Sequence, residues 1–301
     1  MKFVVLFFAV FTICHSSAAG ERIITTSDGV NLYVKVKGTG TPLLYIHGGP
    51  GSASLWFENL SGEFMEKHFT MVYLDQRGVG RSGSPKDQNY SLDRMALDFE
   101  EVRQALGFEQ WLTLGHSFGG ILQMAYAERY PAVQKGMIML NCTINLTESA
   151  CESWIPKAAE FVGEKYSCEG DTVSIPQRMN EYGSKLRDTG LFWKMGSRNP
   201  DTFSRLDEAS AGIENFNFDL SNHVLGQQEY WTNFKPLTAS MQMPVLYFYG
   251  TSDFMVGPEH YKGLNFPKLM LWKNNGGHVP FIEDSTDMEN AILAFSDKFQ
   301  L

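Results

Sequence analysis

The stretch from Gln110 to Arg129 constrains what this chain can fold into more than any other. Gln110 to Leu114 is an apolar run of strand length, and a helix is predicted from about Ile121 to Arg129, closed by Pro131. Between them stands Gly115-His116-Ser117-Phe118-Gly119. A strand that enters a helix through so few residues must turn sharply, and side chains at the flanking positions would collide. The turn lifts the central serine above the sheet, at the positive end of the following helix. A unit of this kind belongs to a mainly parallel sheet covered by helices on both faces. The expected fold class is α/β.

The remaining chain continues the alternation. Arg22 to Thr26 and Asn31 to Lys37 are predicted strands joined at Asp28-Gly29, a hairpin turn signal. Pro42 to Ile46 is a strand ending in His47-Gly48-Gly49-Pro50-Gly51, and Phe69 to Leu74 is a strand running into Asp75-Gln76-Arg77-Gly78. From Ser91 to Leu106, Leu92, Met95, Phe99, Val102 and Leu106 share one helical face, with Ser91 as N-cap and Gly107 as stop. Gly136 to Leu140, Val245 to Tyr249 and Lys268 to Lys273 are further strands, with a short helix near Pro258 to Leu264 and a C-terminal helix around Thr286 to Gln300. Residues 142–243 differ: they are rich in aromatics and lack the parallel-strand pattern. They are predicted to form a helical cap over the edge where open α/β sheets bind ligands, inserted between core segments 20–141 and 244–301.

The first residues carry their own message. Lys2, an apolar run from Phe3 to Cys14 and the small residues Ser17-Ala18-Ala19 predict a signal peptide over residues 1–19, and hence secretion or periplasmic export. The run is shorter than the roughly 20 residues a membrane-spanning helix needs, so no stable membrane insertion is expected. Phe11, Thr12 and Ile13 are too bulky for a lipoprotein signal at Cys14. Beyond the leader stand Cys142, Cys151 and Cys168; both Cys142–Cys151 and Cys151–Cys168 are open as a bridge, with one thiol left over. No histidine lies at ligand spacing from them, which disfavours a metal site. The net charge of −9 and the lack of any Lys/Arg run exclude a nucleic-acid partner. Asn59, Asn89, Asn141 and Asn145 each begin an N-x-S/T sequence.

A serine hydroxyl needs a base, and the base needs an acid to hold its tautomer. When the serine leads in chain order, the acid follows and the histidine comes last. Tyr249-Gly250-Thr251-Ser252-Asp253 puts an acid just past one strand, and Gly276-Gly277-His278 puts a histidine in the loop after the next. Ser117, Asp253 and His278 are therefore the candidate catalytic residues, with Asp219 or Asp284 as substitute acids. The backbone N–H groups of Gly49 and Phe118 are candidate oxyanion donors. Gly78-Val79-Gly80-Arg81-Ser82-Gly83 matches a dinucleotide fingerprint in form alone, because Pro85 and a polar run follow where a helix must begin. Arg77 or Arg81 is expected to pair with Asp75 instead.

The motifs HGGPG at His47–Gly51, DQRG at Asp75–Gly78 with Gly80-Arg81-Ser82, and GHSFGG at His116 and its neighbours together resemble the proline iminopeptidase family of α/β hydrolases. The resemblance covers about Leu32 to Leu140 and Met243 to Ile282. It implies an α/β-hydrolase core, a helical cap and the triad Ser117, Asp253 and His278. It also implies no metal or cofactor, and release of N-terminal residues, often proline, from short peptides. Esterase or other amide hydrolase activity with the same triad is the alternative. In that family acidic cap residues hold the free α-amino group, and some members carry Glu after the catalytic Asp. Here Phe254 follows Asp253, and Glu208, Glu214 and Glu229 are the cap carboxylates available for that part.

Overall fold

The computed structural model describes residues 19–301, so the predicted signal peptide lies, apart from Ala19, outside the described residues. Eight strands form one sheet: β1 (Gly20–Thr25), β2 (Asn31–Lys37), β3 (Thr41–Ile46), β4 (Phe69–Leu74), β5 (Trp111–His116), β6 (Gln134–Leu140), β7 (Val245–Gly250) and β8 (Leu269–Asn274). Their order is β1-β2-β4-β3-β5-β6-β7-β8. β2 pairs antiparallel with β1 and with β4, and every other pair is parallel. Each residue of β5 and β7 is buried, as strands covered on both faces require, whereas edge strand β1 alternates between half-buried and exposed.

Helices fill both faces. On one side α1 (Leu55–His68) brings Trp56, Phe57 and Met65 against the sheet, beside Met288, Ile292 and Phe295 of the helix Ser285–Phe299. On the other, α2 (Leu92–Ala105) packs Met95, Phe99 and Val102 with Ile121, Leu122 and Met124 of α3 (Gly119–Arg129). Ser91 caps α2 as expected, its side chain accepting the Arg94 N–H at 3.3 Å. Helix α1 is absent from the sequence expectation for physical reasons. Its cap residue Ser54 spends its hydroxyl on Asp75 rather than on the helix, and Glu58, Ser61 and Gly62 interrupt its buried face. The short helix expected near Pro258 to Leu264 is a run of turns: Gly257 and Gly263 both adopt positive φ and bracket too few residues to propagate a helix.

From β3 the chain passes through α1 to β4 on one side, then through α2 to β5 on the other. The direction of winding reverses beside β3, the place where open α/β sheets bind ligands. Ile46 of β3 sits opposite Gly115 of β5, so the two glycine-rich loops are neighbours.

Between β6 and β7 lie the helices Ile155–Phe161, Ile175–Asp188, Thr202–Ser210 and Asp219–His223. Trp154, Ile155, Ala158, Tyr182, Leu186 and Met195 form a separate small core there, with Phe254 and Met255 packed against it. Cys151 and Cys168 are bridged within this segment, and Cys142 is a buried free thiol. Among the described residues no helix is long and apolar enough to cross a membrane.

Candidate active site

Ser117 stands at the turn between β5 and α3 with φ of 55°, left-handed and uncommon for a residue with a side chain. Its N–H donates to the Leu140 carbonyl at 3.2 Å, and its carbonyl accepts from Gly120 and Thr143 at 3.1 Å. The glycines around it sit in tight contact with their neighbours. A Cβ on Gly115 would lie 2.2 Å from Gln123 Oε1, one on Gly119 2.3 Å from the Ile46 carbonyl, and one on Gly120 2.6 Å from Cys142 Cβ. Strand, loop and helix approach too closely at this corner for Gly119 or Gly120 to carry a side chain, and one on Gly115 would displace the Gln123 side chain.

His278 Nδ1 lies 3.0 Å from Asp253 Oδ2, and both residues are buried. Asp253 accepts three further bonds: the N–H groups of Met255 and Val256 at 3.0 and 3.1 Å on Oδ1, and Asn141 Nδ2 at 2.8 Å on Oδ2. Burial would raise the Asp253 carboxyl, but the charge and hydrogen bond of His278, with Asn141 and the Val256 N–H, hold it below its ordinary value. Asn141 also donates to the Gly277 carbonyl at 3.1 Å, tying the acid to the histidine loop. Neither substitute acid takes this place: Asp284 pairs with Arg198, and Asp219 opens a short helix.

His116, next to the serine, places Nε2 2.8 Å from the His278 carbonyl. Burial and the neighbouring His278 push it down to about 3, so it is neutral and braces the histidine loop. His47 is also neutral, pushed down to about 4 chiefly by burial. Its Nδ1 donates to the Gly48 carbonyl at 3.1 Å, its Nε2 accepts the Gln76 N–H at 3.2 Å, and Gln76 Nε2 donates to the His47 carbonyl at 2.9 Å. His47 and Gln76 thereby fix the loop that carries Gly49. Asp75 supports the next turn, accepting Ser54 N–H and Oγ at 2.8 and 2.7 Å and pairing with Arg81 at 2.7 Å. Of the two arginines expected beside Asp75, Arg81 is the partner; Arg77 is buried against Asp98 and Asp28. Among the described residues neither the Gly49 nor the Phe118 N–H meets a protein acceptor.

Two cavities meet at the serine. One of about 610 Å³ is lined by Trp56, His116, Phe203, Leu206, Phe216, Phe218 and His278, and the other, of about 140 Å³, by Phe118, Leu146, Trp154, Met179, Leu225 and Trp231. Gly49, Ser117 and Met255 line both. None of the three carboxylates expected to hold a substrate amine reaches either. Glu208 is exposed, Glu214 is exposed on an outer groove beside Arg81, and Glu229 Oε2 accepts the Leu92 N–H at the start of α2. Helix spacing and exposed loops turn these side chains to the outside; Asp207 lines the larger cavity instead. Asn141 was legible only as a glycosylation sequence, yet it is buried and closed to a glycan.

This fold, with Ser117 and His278 lining one cavity and Asp253 bonded to the histidine, is that of an α/β hydrolase. The model of the α/β-hydrolase fold family matches residues 41–285, and the chain belongs to that family. It resembles proline iminopeptidases. That of Saccharolobus solfataricus is 37% identical over 116 residues, about a third of each chain, and that of Heyndrickxia coagulans is 27% identical over 82% of this chain and 87% of its own. The first alignment thus spans well under two thirds of the relative. A proline iminopeptidase-related protein from Thermus thermophilus superposes with a TM-score of 0.75 at 22% identity, covering 93% of this chain and 98% of that one.

Proposed function

We propose that the chain hydrolyses esters or amides of small uncharged acids through an acyl-enzyme on Ser117. Ser117 Oγ attacks the carbonyl carbon while His278 takes its proton. The oxyanion forms at the N–H groups of Gly49 and Phe118; His278 then protonates the leaving group, and Asp253 stays ionised throughout. A second cycle with water frees the acid. Each oxyanion donor contributes roughly 2.7–4 kcal/mol to lowering the barrier. The observation that carries the substrate reading is the smaller cavity, whose lining includes no carboxylate. A substrate ammonium placed there would lose its water with no charge to replace it, at a cost of several kcal/mol.

A second reading, release of an N-terminal residue from short peptides, is favoured by the similarity to proline iminopeptidases and by Asp207 on the larger cavity. The two separate on three compounds: a proline arylamide with a free amine, its N-acetylated form, and a short-chain aryl ester, each with wild type and Ser117→Ala. Ester turnover lost in Ser117→Ala supports the proposal. Cleavage of the free-amine amide alone supports the peptidase and refutes it, and equal rates for wild type and Ser117→Ala refute both.

Export is part of the same proposal. The apolar leader supports it, and so does the Cys151–Cys168 bridge, since such bonds persist in oxidising compartments. The exported chain is expected to begin at Gly20 on N-terminal sequencing; an intact Met1 in the exported fraction contradicts cleavage there.

A further inference from the structure

Resting on the acyl-transfer reading, we infer that the two cavities divide the substrate. The 140 Å³ cavity takes the acyl group and the 610 Å³ cavity takes a bulky apolar or aromatic leaving group. Two atoms fix a substrate's direction in acyl transfer. The carbonyl oxygen must lie at the oxyanion donors, and the leaving heteroatom must lie where the histidine can protonate it. Pro50, Phe118 and Thr143 wall the small cavity and not the large one. His116, His278 and Val279 wall the large cavity and not the small one. With the carbonyl over Ser117, the acyl chain therefore points towards Trp154 and Trp231, and the leaving group lies along Trp56, Phe203 and Phe216.

The balance of the step follows from this placement. The Ser117 Oγ–carbon bond forms as the bond from carbon to the leaving oxygen or nitrogen breaks. The serine proton passes through His278 to the departing atom, which leaves as an alcohol or amine through the larger cavity. Size then sets the acyl preference. An enclosed apolar cavity of about 150 Å³ accommodates benzene, so this pocket fits an acyl group of about four to six carbons or a single small ring. The aromatic wall of the larger cavity favours a ring or branched apolar group by contact area.

The test uses aryl esters from acetate to decanoate, and butyrate esters with methyl, phenyl and naphthyl leaving groups. Wild type is compared with Met179→Ala in the small cavity and Phe216→Ala in the large one, with Leu225→Ala as a second small-cavity variant should Met179→Ala fold poorly. For wild type, kcat/KM is expected to peak at butyrate to hexanoate and fall about ten-fold or more for decanoate. Met179→Ala or Leu225→Ala moves the peak to longer acids and leaves the leaving-group ranking unchanged. Phe216→Ala weakens the preference for naphthyl over methyl and leaves the acyl peak in place. The opposite pairing of variants and effects overturns the assignment, as does a wild-type profile indifferent to acyl length. Failure of a fluorophosphonate to label Ser117 in wild type overturns the acyl-transfer reading itself, so the two failures are distinguishable.

Discussion

Asn141 has a left-handed φ of 47° at the end of β6, and its buried amide reaches Asp253 and the Gly277 carbonyl together. A hydrogen bond to a buried carboxylate contributes about 1.5–3 kcal/mol, so Asn141→Ala is expected to lower kcat/KM by roughly ten-fold or more. The direction of the pH effect follows from charge. Without this donor the Asp253 carboxylate, which must stay ionised, is less stabilised in that form and its proton affinity rises. The acidic limb of kcat/KM therefore moves to higher pH; an unmoved limb with an unchanged rate contradicts the role. Ser117, Asp253 and His278 could be found in the sequence because each stands just past an apolar strand, where spacing alone places it on one sheet edge. Asn141 stands past a strand too, but nothing in its neighbours marks it, since its partners lie more than a hundred residues away.

The segment between β6 and β7 holds the loops that carry Asp253 and His278. The Gly196 carbonyl accepts the His278 N–H at 2.7 Å, and the Met195 carbonyl accepts the Phe254 N–H at 2.8 Å. Glu283 ties the two sides, accepting the Arg198 N–H on one oxygen and the Gly277 N–H on the other, both at 2.9 Å. This explains the glycine before His278: a Cβ there would lie 2.2 Å from the Gly196 carbonyl. Gly277→Ala must push the inserted segment off the histidine loop. Its expected signature is a fall in kcat and in the rate of Ser117 labelling, with far-ultraviolet circular dichroism retained; unchanged labelling counts against the coupling. Aromatic composition is enough to mark this segment as different from the core. Its contacts with the catalytic loops run through backbone carbonyls, which carry no residue signature, and the disulfide pairing likewise depended on which cysteines the helices brought together.

At the scale of the molecule, ion pairs join the β1–β2 hairpin turn to the helical layer. Arg77 is buried between Asp98 of α2 and Asp28 of the turn, and Arg94 pairs with Asp98 as well. Burial would raise Asp28, but hydrogen bonds from Arg77 and Thr26 and the charge of Arg77 hold it at about 2, against an ordinary 3.8. A depressed carboxylate stabilises the fold in full above its unfolded value, and that contribution is lost as pH falls towards the folded one. The Tm is expected to drop between about pH 4 and pH 2, and Asp28→Asn to lower the plateau while flattening part of that drop; parallel curves for variant and wild type contradict the assignment. By itself the sequence determined the layered α/β core and the chain order of its strands, and it placed Ser117, Asp253 and His278 on one edge of the sheet. Those features rest on local periodicity and on glycine turns whose sterics act over a few residues. Only the tertiary structure decided which carboxylates face the serine, how the cysteines pair, and where α1 lies. It also decided which cavity meets Phe118 and which meets His278. Each of these is a contact between residues far apart in the chain, set by how packed layers meet, and no short-range pattern encodes it.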